Sequence, residues 1–212
     1  MINKAWFWKE SEGFLGSDEQ SKILFIMREP NSKGEEVAIE KFWLRRVIHN
    51  EDAANYWGKR YFRILGKVAC ILLEFDDKRE ALERCAFINL FPVSGKQKVD
   101  NLFRNQIKLF SECKEEYNRW NIINNLPDKS IIVTTPDIAS TIEKVKRQKN
   151  LLTNRSTDYC LSISDTVYKS FHCQIENGNY ITVYALRHPG AYGRYYFTED
   201  DVHRKLTDPR AS

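Results

Sequence analysis

Short, continuous apolar runs alternate with longer amphipathic stretches along this chain, and that alternation restricts the fold more than any other feature. The runs close at Met27, Leu90, Thr135 and Leu186: Lys22 to Met27, Cys85 to Leu90, Ser130 to Thr135 and Tyr180 to Leu186. A strand that is apolar throughout, instead of at every second position, is covered on both faces. Between the runs, Val37 to Ile48, Trp57 to Phe75, Asp100 to Ile123 and Pro136 to Gln148 place apolar residues at helical spacing among charges. Strands that alternate with helices define an α/β protein. The expected architecture is a three-layer sandwich with a central, mainly parallel four-stranded sheet flanked by helices and extended by a hairpin partner.

Local signals agree with that division. Asp100 can cap the free amides of its helix, and Pro136 suits a first helical position because its missing N–H has no partner there. Ser170 to Ile175 and Tyr180 to Leu186 flank Glu176-Asn177-Gly178-Asn179, where Asn-Gly supplies the positive φ of a tight hairpin turn. Thr198 precedes an acidic first turn and caps a short final helix to Leu206.

The chain of 212 residues is expected to form one domain over 1–212, with residues 1–21 as a lead-in carrying Trp6, Phe7 and Trp8. Its net charge of +4 permits a polyanionic partner without demanding one. Five cysteines without a CxxC spacing, and no apolar h-region after Met1, point to reduced, buried thiols in a cytoplasmic protein. No run approaches the roughly 18 apolar residues of a membrane span, so no membrane partner is expected. Walker, GxGxxG and HExxH motifs are missing from the sequence, and no metal or cofactor is expected. A monomer is the expected state.

Three polar motifs follow apolar runs: Arg28-Glu29-Pro30-Asn31, Asn89-Leu90-Phe91-Pro92 and Arg187-His188-Pro189-Gly190. Ligands of open α/β sheets bind beyond the carboxyl ends of the parallel strands. Glu29 offers a carboxylate that can hold water or stabilise a cation, and Pro30 fixes the backbone beside it. Asn89 offers a donor and an acceptor together, as reading a base edge requires. His188 can donate to an oxygen that gains negative charge. Tyr192, in the loop Pro189 to Arg194, can wedge into a base stack. Lys33, Lys96 and Lys98 follow the first two strands, and Lys144, Lys146, Arg147, Lys149 and Arg155 follow the third, as a phosphate-tracking face requires. Each residue also has a structural use: a solvated glutamate, a loop-satisfying asparagine, a strand-end histidine.

In order and placement, Met27-Arg28-Glu29-Pro30, Phe87-Ile88-Asn89-Leu90 and His188-Pro189-Gly190 resemble the motifs of the uracil-DNA glycosylase superfamily. Thr134-Thr135-Pro136-Asp137 falls where that family carries a strand-to-helix turn. The resemblance spans about residues 22–206, with Met27 where the family commonly has Gly and Gly190 where it has Ser. It implies a uracil-DNA glycosylase-like fold, a nucleic-acid partner (DNA), and hydrolysis of the N-glycosidic bond of a flipped-out uracil or other damaged base in DNA repair. Glu29 and His188 would be catalytic, Asn89 and Phe91 base-binding, and Lys96, Lys98, Arg187, Tyr192 and Arg194 DNA-binding. Two other classes stay open: a catalytically silent nucleic-acid binder on the same fold, and a small-molecule hydrolase of nucleosides or phosphate esters.

Overall fold

A computed structural model describes residues 2–3, 13–14, 20–27, 60–89, 119–149, 157–158, 167–175, 177–187 and 198–207. The strands are β1 (Ile2–Asn3), β2 (Gly13–Phe14), β3 (Gln20–Ser21), β4 (Ile23–Met27), β5 (Cys85–Asn89), β6 (Ser130–Thr134), β7 (Thr157–Asp158), β8 (Val167–Gln174) and β9 (Tyr180–Leu186). The helices are α1 (Arg60–Leu73), α2 (Lys78–Glu83), α3 (Arg119–Asn124), α4 (Pro136–Gln148) and α5 (Glu199–Thr207). The expected helices at Val37 to Ile48 and over most of Asp100 to Ile123 lie outside the described residues.

The main sheet is mixed and seven-stranded, in the order β2-β5-β4-β6-β9-β8-β7. Its middle, β5-β4-β6-β9, is parallel throughout. Antiparallel strands extend it on both sides: β2 beside β5, and β8 then β7 beyond β9. The four-stranded sheet expected from the sequence is therefore the centre of a wider one. The lead-in contributes as well, because β2 joins the sheet and β1 pairs with β3.

Two apolar layers explain why the central runs are apolar throughout. Ile23, Phe25, Met27, Cys85, Phe87, Val133 and Leu186 pack with α1, α2 and α5. Leu24, Ile26, Ala86, Ile88, Ile132, Ile181 and Val183 pack with α3 and α4. Successive strand side chains point to opposite faces, so each central strand feeds both layers. Phe25 and Phe87 are register partners whose rings stack at 4.6 Å and 12°.

The expected helix to Phe75 ends early. Glu74 turns left-handed at φ 60, and the Phe75 amide reaches back to the Cys70 carbonyl at 3.0 Å, a Schellman-type stop. A short helix, α2, follows, with Asp77 accepting from the Glu80 amide at 2.8 Å. The hairpin turn is closed by Ile175 N–H to Asn179 O and Gly178 N–H to Ile175 O, both 2.9 Å, with Gly178 at φ 89. Only Gly178 takes positive φ among the described turn residues, so the loop follows the longer three-residue pattern. Thr198 caps α5 as expected: its Oγ1 accepts from the Asp201 amide at 3.2 Å, and Asp201 Oδ2 accepts from the Thr198 amide at 2.7 Å.

Candidate functional site at the carboxyl edge of the parallel strands

The carboxyl ends of β5, β4, β6 and β9 stand side by side. Met27 is the register partner of Asn89, Ile26 of Thr134, and Thr134 of Ala185. Two latches hold β4 in this alignment. At its start, the Ser21 hydroxyl accepts from the Ile23 amide at 3.0 Å and donates to the Arg84 carbonyl just before β5. At its end, Thr134 Oγ1 donates to the Ile26 carbonyl at 2.7 Å, tying β6 to β4.

The connections leave this edge in opposite senses. From β4 the chain passes through α1 and α2, on one face, to β5. From β6 it enters α4 at once, on the other face, and reaches β9 on the opposite side. The ends of β4 and β6 therefore form a topological switch point, where open α/β sheets leave a crevice.

The predicted residues relate to this edge through their strands. Asn89 is the last residue of β5, beside Met27. Arg187 follows β9 directly and is only 4% exposed, so it is part of the packed edge. Glu29, Phe91, Lys96, Lys98, His188, Tyr192 and Arg194 lie outside the described residues. At a strand spacing of about 4.8 Å, the ends of β4 and β9 stand roughly 10 Å apart and those of β5 and β9 roughly 14 Å. The sheet thus brings together the strands that lead to Glu29, Asn89 and His188.

The part of the basic cluster carried by α4 and its C-cap goes elsewhere, while Arg155 lies outside the described residues. Lys146 and Arg147 sit in the last turn of α4, about 15 Å along the helix from its start. Lys146 is fully buried and donates to Asn124 Oδ1 at 2.9 Å, while Arg147 pairs with Glu143 at 2.9 Å. Asn124 precedes β6, so this cluster belongs to the amino end of the sheet. A helix entered at the carboxyl edge carries its last turn to the other end, which the linear spacing concealed.

Thr135 belongs to the strand-to-helix turn expected from the sequence. It occupies the N-cap position of α4 in extended conformation, at φ −78 and ψ 157, yet makes no side-chain cap. Its Oγ1 is sealed from solvent and has no hydrogen-bond partner among the described residues. The Thr-Pro pair after an apolar run was the available signal.

Among the described residues, no group of three or more His, Cys, Asp or Glu is placed to hold a metal ion, and no helix is long and apolar enough to cross a membrane. Cys70, Cys85 and Cys173 are free and buried. Burial pushes all three thiols up, Cys173 to about 11 even with Lys146 pulling it down. Cys113 and Cys160 lie outside the described residues. These features define an α/β protein with a mixed sheet flanked by helices. Comparisons with protein-family models, curated proteins and solved structures return no match.

Proposed function

We propose that this chain hydrolyses the N-glycosidic bond of a flipped-out base in nucleic acid, as a uracil-DNA glycosylase-like enzyme. The observation that carries the reading is the switch point between β4 and β6, two residues before Glu29 and flanked by the strands that lead to Asn89 and His188. Base flipping costs a few kcal/mol, less for a damaged or mispaired base. Glu29 holds the attacking water and stabilises the oxocarbenium-like sugar. Asn89 reads the base edge, beside Phe91, and His188 stabilises negative charge on the departing base. Tyr192 fills the vacated stack. Lys96, Lys98 and Arg194 meet phosphates, and the buried Arg187 braces the strand end that carries His188.

The test is an abasic-site assay on uracil-, hypoxanthine- and xanthine-bearing oligonucleotides. Glu29→Gln and His188→Ala are expected to lower excision at least a hundredfold each, within the range of lost acid–base or electrostatic groups. Unchanged excision in both variants rejects these roles. Salt-sensitive DNA or RNA binding without abasic sites would replace the enzyme with a silent binder. Mononucleoside hydrolysis without polymer binding would replace it with small-molecule chemistry.

A further inference from the structure

We infer that α5 is a releasable strap, held on α1 and α2 by ionic contacts and freed by rising salt while the sheet beneath stays closed. The inference does not depend on the proposed activity.

Helix α5 has 9 residues, too few to stand as a stable helix in water on its own. It therefore persists through docking, and it packs on α1 and touches β8. Its apolar hold is small. Among its described side chains only Val202 is fully buried, and Leu206 is partly buried against the same layer. In β4, by contrast, Ile23, Leu24, Phe25 and Ile26 are all sealed from solvent. Since apolar stabilisation scales with the area removed from water, α5 is held far less firmly than a central strand. It also stands outside the strand order, so its departure breaks no sheet pairing.

Charge supplies the rest of the hold. The half-buried Glu199 accepts from Arg63 Nε of α1 at 2.7 Å and from Lys78 Nζ of α2. Both cations are exposed, so counter-ions reach them and screen the pairing. Other polar groups of α5 bond within the helix. Thr198 and Asp201 cap each other, Arg204 pairs with Asp201 at 2.8 Å, and the Thr207 hydroxyl donates to the His203 carbonyl at 2.7 Å. These bonds shape α5 without fastening it to the body. Release would bare Val202, Leu206 and the part of α1 beneath them. Salt thus controls whether a small apolar face is covered.

The experiment places a thiol under the strap. The full chain carrying Val202→Cys is treated with iodoacetamide at pH 8, and labelling is followed by peptide mass spectrometry. Buried Cys85, in the same apolar layer, is the internal reference. The new thiol should react roughly tenfold or more faster than Cys85, because a local opening lies below global unfolding in free energy. Raising NaCl from about 0.05 to about 0.5 M, which shortens the Debye length roughly threefold, should speed its labelling. Adding Glu199→Gln should speed it about fivefold at low salt and remove most of the salt response. Hydrogen exchange of the unmodified chain guards against a docking defect caused by Val202→Cys. There the α5 amides should exchange before those of β4, and sooner at high salt. Three results overturn the inference: equal labelling of the new thiol and Cys85 with equal protection of α5 and β4, labelling and exchange that ignore salt, or a full salt response that survives Glu199→Gln.

Discussion

The hydroxyl of Thr134 donates to the Ile26 carbonyl at 2.7 Å, joining two strands 108 residues apart in sequence where their connections diverge. A β-branched residue suits the end of a buried strand, and the hydroxyl adds a bond that valine could not supply. Thr134→Val keeps the shape and removes only that bond, so it should cost about 1 kcal/mol. For a chain of this length that is a drop of roughly 2–4 °C in melting temperature. Thermal unfolding followed by circular dichroism reads it, and an unchanged midpoint would show that the bond contributes nothing net.

Glu199 opens α5 and ties it to α1 and α2. Its carboxylate accepts from Arg63 Nε of α1 at 2.7 Å and from Lys78 Nζ of α2. Partial burial alone would raise its pKa, but the hydrogen bonds from Lys78 and Arg63 outweigh it and hold the carboxyl below the usual glutamate value. A group depressed in the folded state stabilises above its unfolded pKa, and that contribution fades as pH falls through the folded pKa. Arg63 and Lys78 are well exposed, so solvent limits the contribution to about 1 kcal/mol. Glu199→Gln should lower stability by that amount at pH 7. The gap should close as pH drops below the ordinary glutamate range, in urea titrations across pH. A constant gap would assign the loss to packing.

The central strands were legible because burial on both faces leaves its mark residue by residue: Ile23 to Met27 and Cys85 to Ile88 are apolar without interruption. The caps at Pro136 and Thr198 and the glycine at Gly178 were legible because each answers a local backbone demand. The width of the sheet was not. β2 has two residues, and its place beside β5 comes from tertiary pairing, not from a local pattern. The stop at Glu74 was hidden too, since a left-handed glutamate carries none of the signal of a C-cap glycine. The motifs marked the ends of β4, β5 and β9, which the sheet sets on one parallel edge. The adjacency of β4 and β6 needed the strand order.

Gly66 lets α1 and α2 approach closely. A Cβ built there would stand 2.7 Å from Lys78 Cβ, at the root of that side chain, where rotation gives no relief. Gly66→Ala should gain helix propensity of about 1 kcal/mol but force the helices apart, an overpacking cost of roughly 1–3 kcal/mol. The net expectation is a protein less stable by up to about 2 kcal/mol. Lys78 also pairs with Glu199, so Gly66→Ala and Glu199→Gln should be non-additive in a double-mutant cycle. A stabilised single variant would mean that α2 shifts freely.

Cys173 on β8 lies in the layer beneath α4, with a thiol pushed up to about 11 by burial. At pH 8 about one molecule in a thousand carries the thiolate, and access is blocked as well. Cys85, fully buried and donating to the Ala81 carbonyl at 3.2 Å, has its thiol raised well above the ordinary value by burial and then by nearby Cys70. Iodoacetamide at pH 8, followed by peptide mass spectrometry, should leave both residues unmodified in the native protein and modify both in denaturant. Lys146 bonds Asn124 in the same layer, so Lys146→Ala should open a cavity, leave Asn124 Oδ1 without that donor and destabilise by roughly 2–4 kcal/mol. Local openings then become more frequent, and Cys173 should be labelled sooner than Cys85, which belongs to the other apolar layer. Equal acceleration at both cysteines would instead show that the two layers open together.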